Sequence, residues 1–568
     1  MIRKRWQILP TLPDEEVAKR LETKSLPAVI SPLLVQLLHN RGVEAPADYE
    51  PFIAADDRLA HDSRLLKDID RAVTRLLRAL LGDELIAIYG DFDADGITAT
   101  ALMVEGISQM GGRVIYYIPH RIGEGHGLNR SALEGLREQG VGLVVTVDCG
   151  ISEVSEVEEG NRLGLDIIIT DHHVPPEHRP PAVAAIDPKR SDSGYPFYEL
   201  SGVGVAFKLL QALWGATRRV GDEVLDDFLD LVALGTIADM VPLKGENRYL
   251  VKRGLEVLNS TRRFGLQEMA ALAGLQMGKL DENSVSYAIG PRLNASGRME
   301  HAVTSYELLT ASSRSEARRL AAALEANNSE RQRLTAEFLA RAKEELLVSG
   351  AGVPLLMVGG ADYPAGVAGV IAGKLTDEFY RPAIVLQLDG DTVRGSARSI
   401  PEFDIVSALA DCRDLLTRFG GHRQAAGFVV PESNVDRLRN MLLEIADREL
   451  EGVDLRPVIN VDTEFPLSSL SGETYKVISR MAPFGQGNQV PTFLSRNVKV
   501  MESRRVGGAG DHLKLKLRDG GVVWDAIAFD LGDREISPYI DIVYNLEKEN
   551  WSGKQFLRLN VIDFAVSG

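Results

Sequence analysis

Cysteine is almost missing from this chain: Cys149 and Cys412 are the only two in 568 residues. Two thiols cannot staple a chain of this size, so a disulfide scaffold is excluded and a reducing compartment is the natural setting. Long apolar runs are missing as well. No stretch reaches the ~18–20 residues that a bilayer-spanning helix needs. The N-terminal segment Met1–Pro10 is basic at its start but has neither an apolar centre nor a small-residue cleavage site. A cytoplasmic chain with no membrane partner is therefore expected. Excess positive charge is absent too, since 64 Lys and Arg stand against 81 Asp and Glu, a net charge of −17. That balance argues against non-specific coating of nucleic acid, which rewards net positive surface through counterion release. It leaves room for a local basic channel, because fields follow local charge. No repeat period or low-complexity tract is present. With 45% hydrophobic and 26% charged residues, disordered and fibrous classes are excluded. What remains is a globular chain long enough for about three or four domains.

The pattern along the chain changes several times. Residues 1–75 look like a helical lead-in, with Pro10, Pro13, Pro27, Pro32, Pro46 and Pro51 between short amphipathic stretches. From Leu85 onward, short β-rich runs alternate with helix-length segments. Strands are predicted at Leu85–Tyr89, Arg113–Ile118, Leu143–Val147, Asp166–Thr170 and Val183–Ile186. Such alternation predicts a parallel sheet with right-handed crossovers and a ligand site beyond the carboxyl ends of its strands. Residues 225–238 read as a buried helix. Residues 311–348, charge-rich and free of Gly and Pro, read as a long helix that either joins two lobes or lies solvated on one of them. A second α/β pattern follows from Gly350 to about Glu451, with strands near Pro354–Val358 and Ala383–Leu388. The last segment carries five short alternating strands, which suit a small β-barrel of the OB type.

Chemistry concentrates at the ends of these elements. Asp91, Asp93 and Asp95 follow the first strand at alternate positions and open a helix. Three carboxylates converging there repel one another unless a cation sits between them, and aspartate oxygens suit Mg²⁺ or Mn²⁺. Asp148 ends one further strand, Asp171-His172-His173 ends the next, and Asp239 ends the buried helix. A lone Asp in such a place is often just a helix cap, and a lone His a satisfied polar residue. Adjacent histidines behind an Asp, in a chain with ten histidines, are harder to explain that way. Mixed imidazole and carboxylate donors tilt the choice from Mg²⁺ toward Mn²⁺, and six or so donors are enough for two ions, the arrangement used for in-line attack at phosphorus.

GDFDADG (90–96), VDCG (147–150), DHH (171–173) and ADMVP (238–242) resemble, in this order, the four motifs of the DHH phosphoesterase superfamily. GPRLNASGRM (290–299), RGSARS (394–399) and GGHRQAAGF (420–428) resemble its companion DHHA1 side. The resemblance covers nearly all of the chain from residue 76. Chain length and the barrel-like end narrow it to the bacterial single-strand-specific exonucleases of that superfamily. It implies an α/β fold of two lobes, a DHH parallel sheet and a DHHA1 lobe, joined by a long helix and followed by an OB-like β-barrel. The implied division is 1–75 helical extension, 76–310 DHH catalytic domain, 311–349 connecting helix, 350–451 DHHA1 domain and 452–568 OB-like nucleic-acid-binding domain. It further implies metal ligands at Asp93, Asp95, Asp148, His172 and Asp239, with Asp91 and His173 beside them, holding two Mn²⁺ or Mg²⁺ ions. Members of the superfamily often carry a His four residues before the second acidic position of the first motif. Here Tyr89 stands there, and Asp91 is expected to compensate.

Arginine next to small residues, as in the 290–299 and 394–399 motifs, suits bidentate phosphate contacts at close backbone approach. Standing alone, the first motif would read as a glycine-rich turn. Gly420–Gly427 is expected to meet phosphate at a helix start. The resemblance implies that Arg121, Arg298, Ser396 and Arg398 recognise a terminal 5′-phosphate and that His422 lies near the scissile bond. In the last domain His512, Lys514, Lys516 and Arg518 alternate with leucines, so the basic groups share one strand face. Trp524, Phe529, Trp551 and Phe556 either stack on bases or fill the barrel core. The expected activity is metal-dependent removal of 5′-mononucleotides from single-stranded DNA in the 5′ to 3′ direction, in repair and recombination. The expected chain is a monomer, working on strands coated by single-stranded-DNA-binding protein. Two rivals stand: a DHH/DHHA1 phosphodiesterase for short oligonucleotides or cyclic dinucleotides, and a non-catalytic single-strand-binding scaffold.

Overall fold

The computed structural model describes residues 3–22, 31–121, 123–217, 223–349, 352–551 and 554–567. Backbone contacts divide the chain into two compact units that are not consecutive in sequence. One comprises Asp62–Asp239 and Gly254–Pro457, the other Lys4–His61, Met240–Arg253 and Val458–Gly568.

The first unit opens with five parallel strands: β1 (Leu85–Gly90), β2 (Arg113–Tyr117), β3 (Leu143–Val147), β4 (Asp166–Thr170) and β5 (Ala184–Ile186), in the order β2-β1-β3-β4-β5. The sequences LIAIYG and LVVTV of β1 and β3 are almost wholly buried, as a parallel sheet covered on both faces requires. Helix α1 (Ala94–Gln109) leaves β1 through residues 91–93 and is buried along most of its length, enclosed by α2 (Gly202–Thr217) and α3 (Leu229–Ala238). The buried helix expected over 225–238 thus begins at Leu229, after a separate short turn at Glu223–Asp226. Because β2 lies on one side of β1 and β3 on the other, the connections diverge at β1. The crevice outside the carboxyl ends of β1 and β3 is where such sheets take ligands.

The motif at 290–299 is helical, α4 (Gly290–Met299), rather than a turn. The 36-residue α5 (Arg314–Ser349) packs against α4 and against the strand and helix that follow it, so it touches both lobes. The second lobe carries β6 (Leu356–Gly360), α6 (Ala365–Phe379), β7 (Ala383–Asp389), β8 (Thr392–Arg398), β9 (Arg418–His422) and β10 (Ala425–Pro431), with sheet order β9-β10-β8-β7-β6. Two of these strands, β6 and β7, are predicted from sequence. The other three contain the glycine-rich and arginine-rich motifs. Gly420–Gly427 is therefore a β-hairpin, not a helix start, with Gly420 opposite Gly427. A Cβ on Gly421, at φ +141°, would meet Ala425 O at 2.2 Å. The glycines mark close strand approach.

In the second unit β11 (Phe493–Val506), β12 (His512–Asp519), β13 (Val522–Ala528), β14 (Tyr539–Trp551) and β15 (Lys554–Val566) close into a barrel in the order β11-β12-β13-β15-β14, with β14 returning to β11. Leu513, Leu515 and Leu517 point into its core while Lys514, Lys516 and Arg518 are exposed. Trp524 is partly buried against the barrel core and its indole N–H donates to Leu467 O at 3.1 Å, whereas Phe529 and Phe556 are exposed. The side chain of Trp551 lies outside the described residues. The N-terminal stretch is not a single lead-in. Residues 4–61 share the barrel's core through Leu34, Leu37, Leu38, Tyr49 and Phe52. Strand Arg5–Ile8 pairs in parallel with Val458–Val461, and buried Arg41 pairs with Asp462 at 2.8 Å. Among the described residues no helix is long and apolar enough to cross a membrane.

Candidate metal centre and arginine pocket

Each acidic motif reaches the crevice because its strand or helix ends there. The turn after β1 carries Asp91, Phe92 and Asp93. Asp93 caps α1, its Oδ1 accepting from Asp95 N (3.0 Å) and Gly96 N (3.2 Å), so the backbone bonds leave Oδ2 free. Ala94 N, one of the helix's open donors, is taken by Asn294 Oδ1 of α4 at 2.8 Å. Asp95 lies one residue into the helix and is held by the start of α2, from Gly202 N (2.6 Å) and Val203 N (2.9 Å). Asp148 ends β3 in the left-handed region, φ +62°, a conformation that costs a non-glycine residue energy and clusters at functional sites.

The DHH residues divide their work. Asp171 is buried and accepts from Ile151 N, His172 N and His173 N, and also from His173 Nδ1 at 2.7 Å. Burial alone would raise its carboxyl, but the bond and charge of His173 hold it well below the usual range. Asp171 is thus an organiser that fixes the His173 ring and leaves its Nε2 open. His172 Nε2 lies 3.1 Å from Asp148 Oδ1 and 3.6 Å from Asp239 Oδ2. Burial, followed by the charge of His173, pushes its pKa down to about 3, so it presents a neutral imidazole.

These side chains fall into three overlapping groups of donor atoms within 4.8 Å of one another: Asp91, Asp93 and Asp148; Asp95, His172 and Asp239; and Asp148, His172 and His173. Among the described residues Asp91 Oδ1, Asp148 Oδ1 and His172 Nε2 are buried with no hydrogen-bond partner. Buried polar atoms are seldom left so. Burial, then the neighbouring carboxylates, raises Asp148 and Asp239 well above the ordinary carboxyl range and brings Asp95 to about 7. A carboxylate cluster that strains against ionisation while leaving donor atoms unpaired and convergent fits divalent cations.

Beside it lies a concentration of positive charge that makes no ion pair among the described residues. Arg121 sits with its guanidinium carbon 4.6 Å from the centre of the Phe92 ring, so the residue between the two acidic positions of the first motif carries an arginine on its face. Arg298 is half-buried on α4. Burial, then Arg121, Arg331 and Arg398, brings its pKa down to about 9. Gly297 and Gly366 permit this packing, since a Cβ on either would meet Phe92 O (2.8 Å) or Arg298 O (2.0 Å). Ser396 and Arg398 are two apart on β8 and share a face. His422, exposed on β9, is held below its ordinary value by partial desolvation and then by the charge of His173 and Lys189.

Three contributors are not singled out by the sequence. His126, in the loop after β2, has Nδ1 3.1 Å from Asp91 Oδ1. Lys189 follows β5, and its charge is felt by His172, Asp239 and His422. Arg331 is one of many arginines on α5, with a buried Nε that has no hydrogen-bond partner among the described residues. None carries a local signal. Each is recognisable only by what the fold puts next to it.

Comparison with known proteins matches three family models along the chain: the DHH family N-terminal domain at residues 85–236, the DHHA1 domain at 348–448 and the RecJ OB domain at 461–563. The single-stranded-DNA-specific exonuclease RecJ of Bacillus subtilis is 38% identical over 569 residues, covering 99% of this chain and 71% of that protein. RecJ of Dickeya dadantii is 35% identical, covering 94% and 96%. The crystal structure of RecJ from Thermus thermophilus with Mn²⁺ superposes with a TM-score of 0.84 at 28% identity, over 99% of this chain and 80% of the other. Likeness of this extent runs through both lobes, the long helix and the barrel, and the chain belongs to the RecJ family of nucleases.

Proposed function

We propose that the chain is a metal-dependent exonuclease that degrades single-stranded DNA from its 5′ end and releases 5′-mononucleotides. The observation that carries this reading is the adjacency of a convergent donor cluster and a half-buried arginine group that makes no ion pair among the described residues, linked by Phe92 between Asp91 and Asp93. Arg121, Arg298 and Arg398, with Ser396, take the terminal 5′-phosphate, and the next phosphodiester then falls over the metal centre. Asp93, Asp95, Asp148, His172 and Asp239, with Asp91, hold two Mn²⁺ or Mg²⁺ ions. When bound, such ions polarise the phosphoryl oxygens and make water a competent nucleophile near neutral pH.

The protein's own groups do the rest. Asp171 fixes the ring of His173 through Nδ1, so Nε2 is directed to a phosphoryl oxygen. His422 approaches the same region from the second lobe. The arginines hold the chain end and offset the charge that develops at phosphorus. The exposed stripe Lys514, Lys516 and Arg518 on β12 suits the backbone of a trailing single strand. Lys514 faces Arg504 and Arg518 faces Lys499 across the β11–β12 ladder, like-charge pairs that an anionic strand relieves. DNA repair and recombination in the cytoplasm, action as a monomer, and work on strands coated by single-stranded-DNA-binding protein complete the proposal.

The test is a cleavage time course on 5′-phosphorylated single-stranded DNA labelled at either end, with Mn²⁺, Mg²⁺ or chelator, beside a duplex and a dinucleotide. Metal-dependent mononucleotide release from the 5′ end, with the duplex spared, is expected. Cleavage confined to the dinucleotide moves the assignment to a small-substrate phosphodiesterase. Tight binding without cleavage leaves a scaffold.

A further inference from the structure

Position 89, where a related motif often supplies an imidazole, holds a tyrosine that faces away from the metal centre. Tyr89 is fully buried, stacks on Tyr117 at 5.0 Å and donates its hydroxyl hydrogen to Gly127 O at 3.0 Å. The same hydroxyl oxygen accepts from Asn129 Nδ2 at 3.0 Å. Tyr89 therefore pins both ends of a short stretch, 127–129, immediately beyond His126. Gly125 (φ +85°) and Gly127 (φ +82°) flank that histidine in the left-handed region, which turns the loop back over the crevice. The outcome is an imidazole at the first motif by another route, with His126 Nδ1 3.1 Å from Asp91 Oδ1.

That contact is an ion pair without hydrogen-bond alignment: Asp91 Oδ1 has no aligned donor among the described residues, and although burial lowers the imidazole, the charge of Asp91 outweighs it and brings His126 to about 9. His172 Nε2 and Asp148 Oδ1 repeat the pattern, 3.1 Å apart and both unpartnered. Two adjacent donors on one octahedral cation with bonds of about 2.1 Å lie about 3.0 Å apart. Donors at that spacing fit shared coordination once a cation displaces the proton of the imidazole. The ring plane is held by edge contacts with Phe92 (6.1 Å) and His173 (5.5 Å).

We propose that His126 Nδ1 is a donor to the cation held by Asp91, Asp93 and Asp148, taking the place that Tyr89 does not fill. Each of the two ions then has one imidazole, His126 for one and His172 for the other, and nitrogen at both sites favours Mn²⁺ over Mg²⁺. The inference rests on the metal-centre reading above.

Four variants test it in the full chain: His126→Phe keeps a ring without a donor, His126→Asn keeps a donor atom near the position of Nδ1, His126→Gln places its donor nearer Nε2, and Asp148→Asn serves as the site control. Free Mn²⁺ is counted by electron paramagnetic resonance, ¹⁴N modulation in pulsed spectra reports coordinated imidazole, and thermal melting reports the fold. Expected are two ions in the unaltered chain and one nitrogen signature fewer in His126→Phe. One of the two ions in that variant binds about 10- to 100-fold more weakly, and the loss is smaller for Mg²⁺. His126→Asn stays within a few-fold and His126→Gln follows the phenylalanine variant. Unchanged nitrogen modulation and affinity in His126→Phe overturns the inference, as does an equal loss in the Asn and Phe variants. If the unaltered chain takes up no Mn²⁺, or Asp148→Asn does not weaken it, the metal-centre reading itself fails.

Discussion

Adding a single methyl group at Gly202 should disable the metal centre while leaving the fold intact. Gly202 opens α2, and its amide and that of Val203 hold Asp95. A Cβ there would stand 2.3 Å from Asp148 Oδ1, 2.5 Å from its Cγ and 2.6 Å from its Cβ. Ordinary contact begins near 3.4 Å, so the carboxylate must retreat by about 1 Å. It has little freedom to do so gently, being 2% exposed, in a left-handed backbone conformation, with its N–H bound to Thr170 O at 3.0 Å. A misplacement of about 1 Å in a catalytic constellation costs about 100-fold in rate, equivalent to about 2.7 kcal/mol of activation free energy. The helix itself gains, because alanine is a better helix former than glycine by up to about 1 kcal/mol. Gly202→Ala should therefore show a kcat about 100-fold lower at saturating Mn²⁺, weaker Mn²⁺ binding, and melting close to that of the unaltered chain. The assay is mononucleotide release from 5′-phosphorylated single-stranded DNA, paired with a melting curve on the same preparation. Full activity would refute the claim that Asp148 works only from its present position. A collapse of melting together with activity would refute the claim that the damage is local.

Three other outcomes are expected. Asp148→Asn removes an anionic donor common to two of the donor groups and should abolish cleavage with melting preserved; turnover in the presence of Mn²⁺ would sink the site. Arg298→Ala should cut the preference for 5′-phosphorylated over 5′-hydroxyl ends by about 10- to 100-fold, the worth of charge-assisted hydrogen bonds, and an unchanged ratio of rates on the two ends would remove Arg298 from the pocket. Metal uptake should also be coupled to protons, because burial and then Asp93 lift Asp95 to about 7. Protons then compete with cations below that pH, so Mn²⁺ affinity falls between pH 8 and pH 6 and uptake releases protons. Calorimetry in buffers of differing ionisation enthalpy measures that release, and none at pH 6.5 would contradict the coupling. The linkage sign for this group follows: Asp95 in the metal-free folded state stays protonated between about pH 4 and 7, where the unfolded chain has lost that proton. Its contribution to stability therefore falls as pH rises across that window, and saturating Mn²⁺ restores it.

Much of the parallel sheet is readable from sequence, because its strands are short, apolar and buried on both faces. Leu143–Val147 and Asp166–Thr170 need no other information than their own run of β-branched residues. The arginine motifs of the second lobe mislead for an equally physical reason. Gly395, Gly420, Gly421 and Gly427 lower the apparent strand propensity of β8–β10, yet they are strand residues, because ring and backbone crowd them: a Cβ on Gly395 would lie 2.1 Å from the ring of Phe428. The fate of residues 4–61 is invisible locally as well. Their helices are amphipathic, and an apolar face does not state which core will cover it; the barrel does, some 400 positions later, through contacts such as Arg41 with Asp462.

The site divides along the same line. Sequence by itself determined which side chains carry charge and donor atoms, and that the acidic motifs end elements of an α/β lobe, since spacing along one strand or helix is a local property. Only the tertiary structure decided which of them converge closely enough to hold a cation. It turned Tyr89 into a loop anchor, brought His126 to Asp91 from 35 positions away, and gathered Arg121, Arg298, Arg331 and Arg398 from separate elements around one space. Convergence of that kind depends on where the chain returns after a crossover, and the packing of the whole lobe, rather than any single stretch of it, fixes that return.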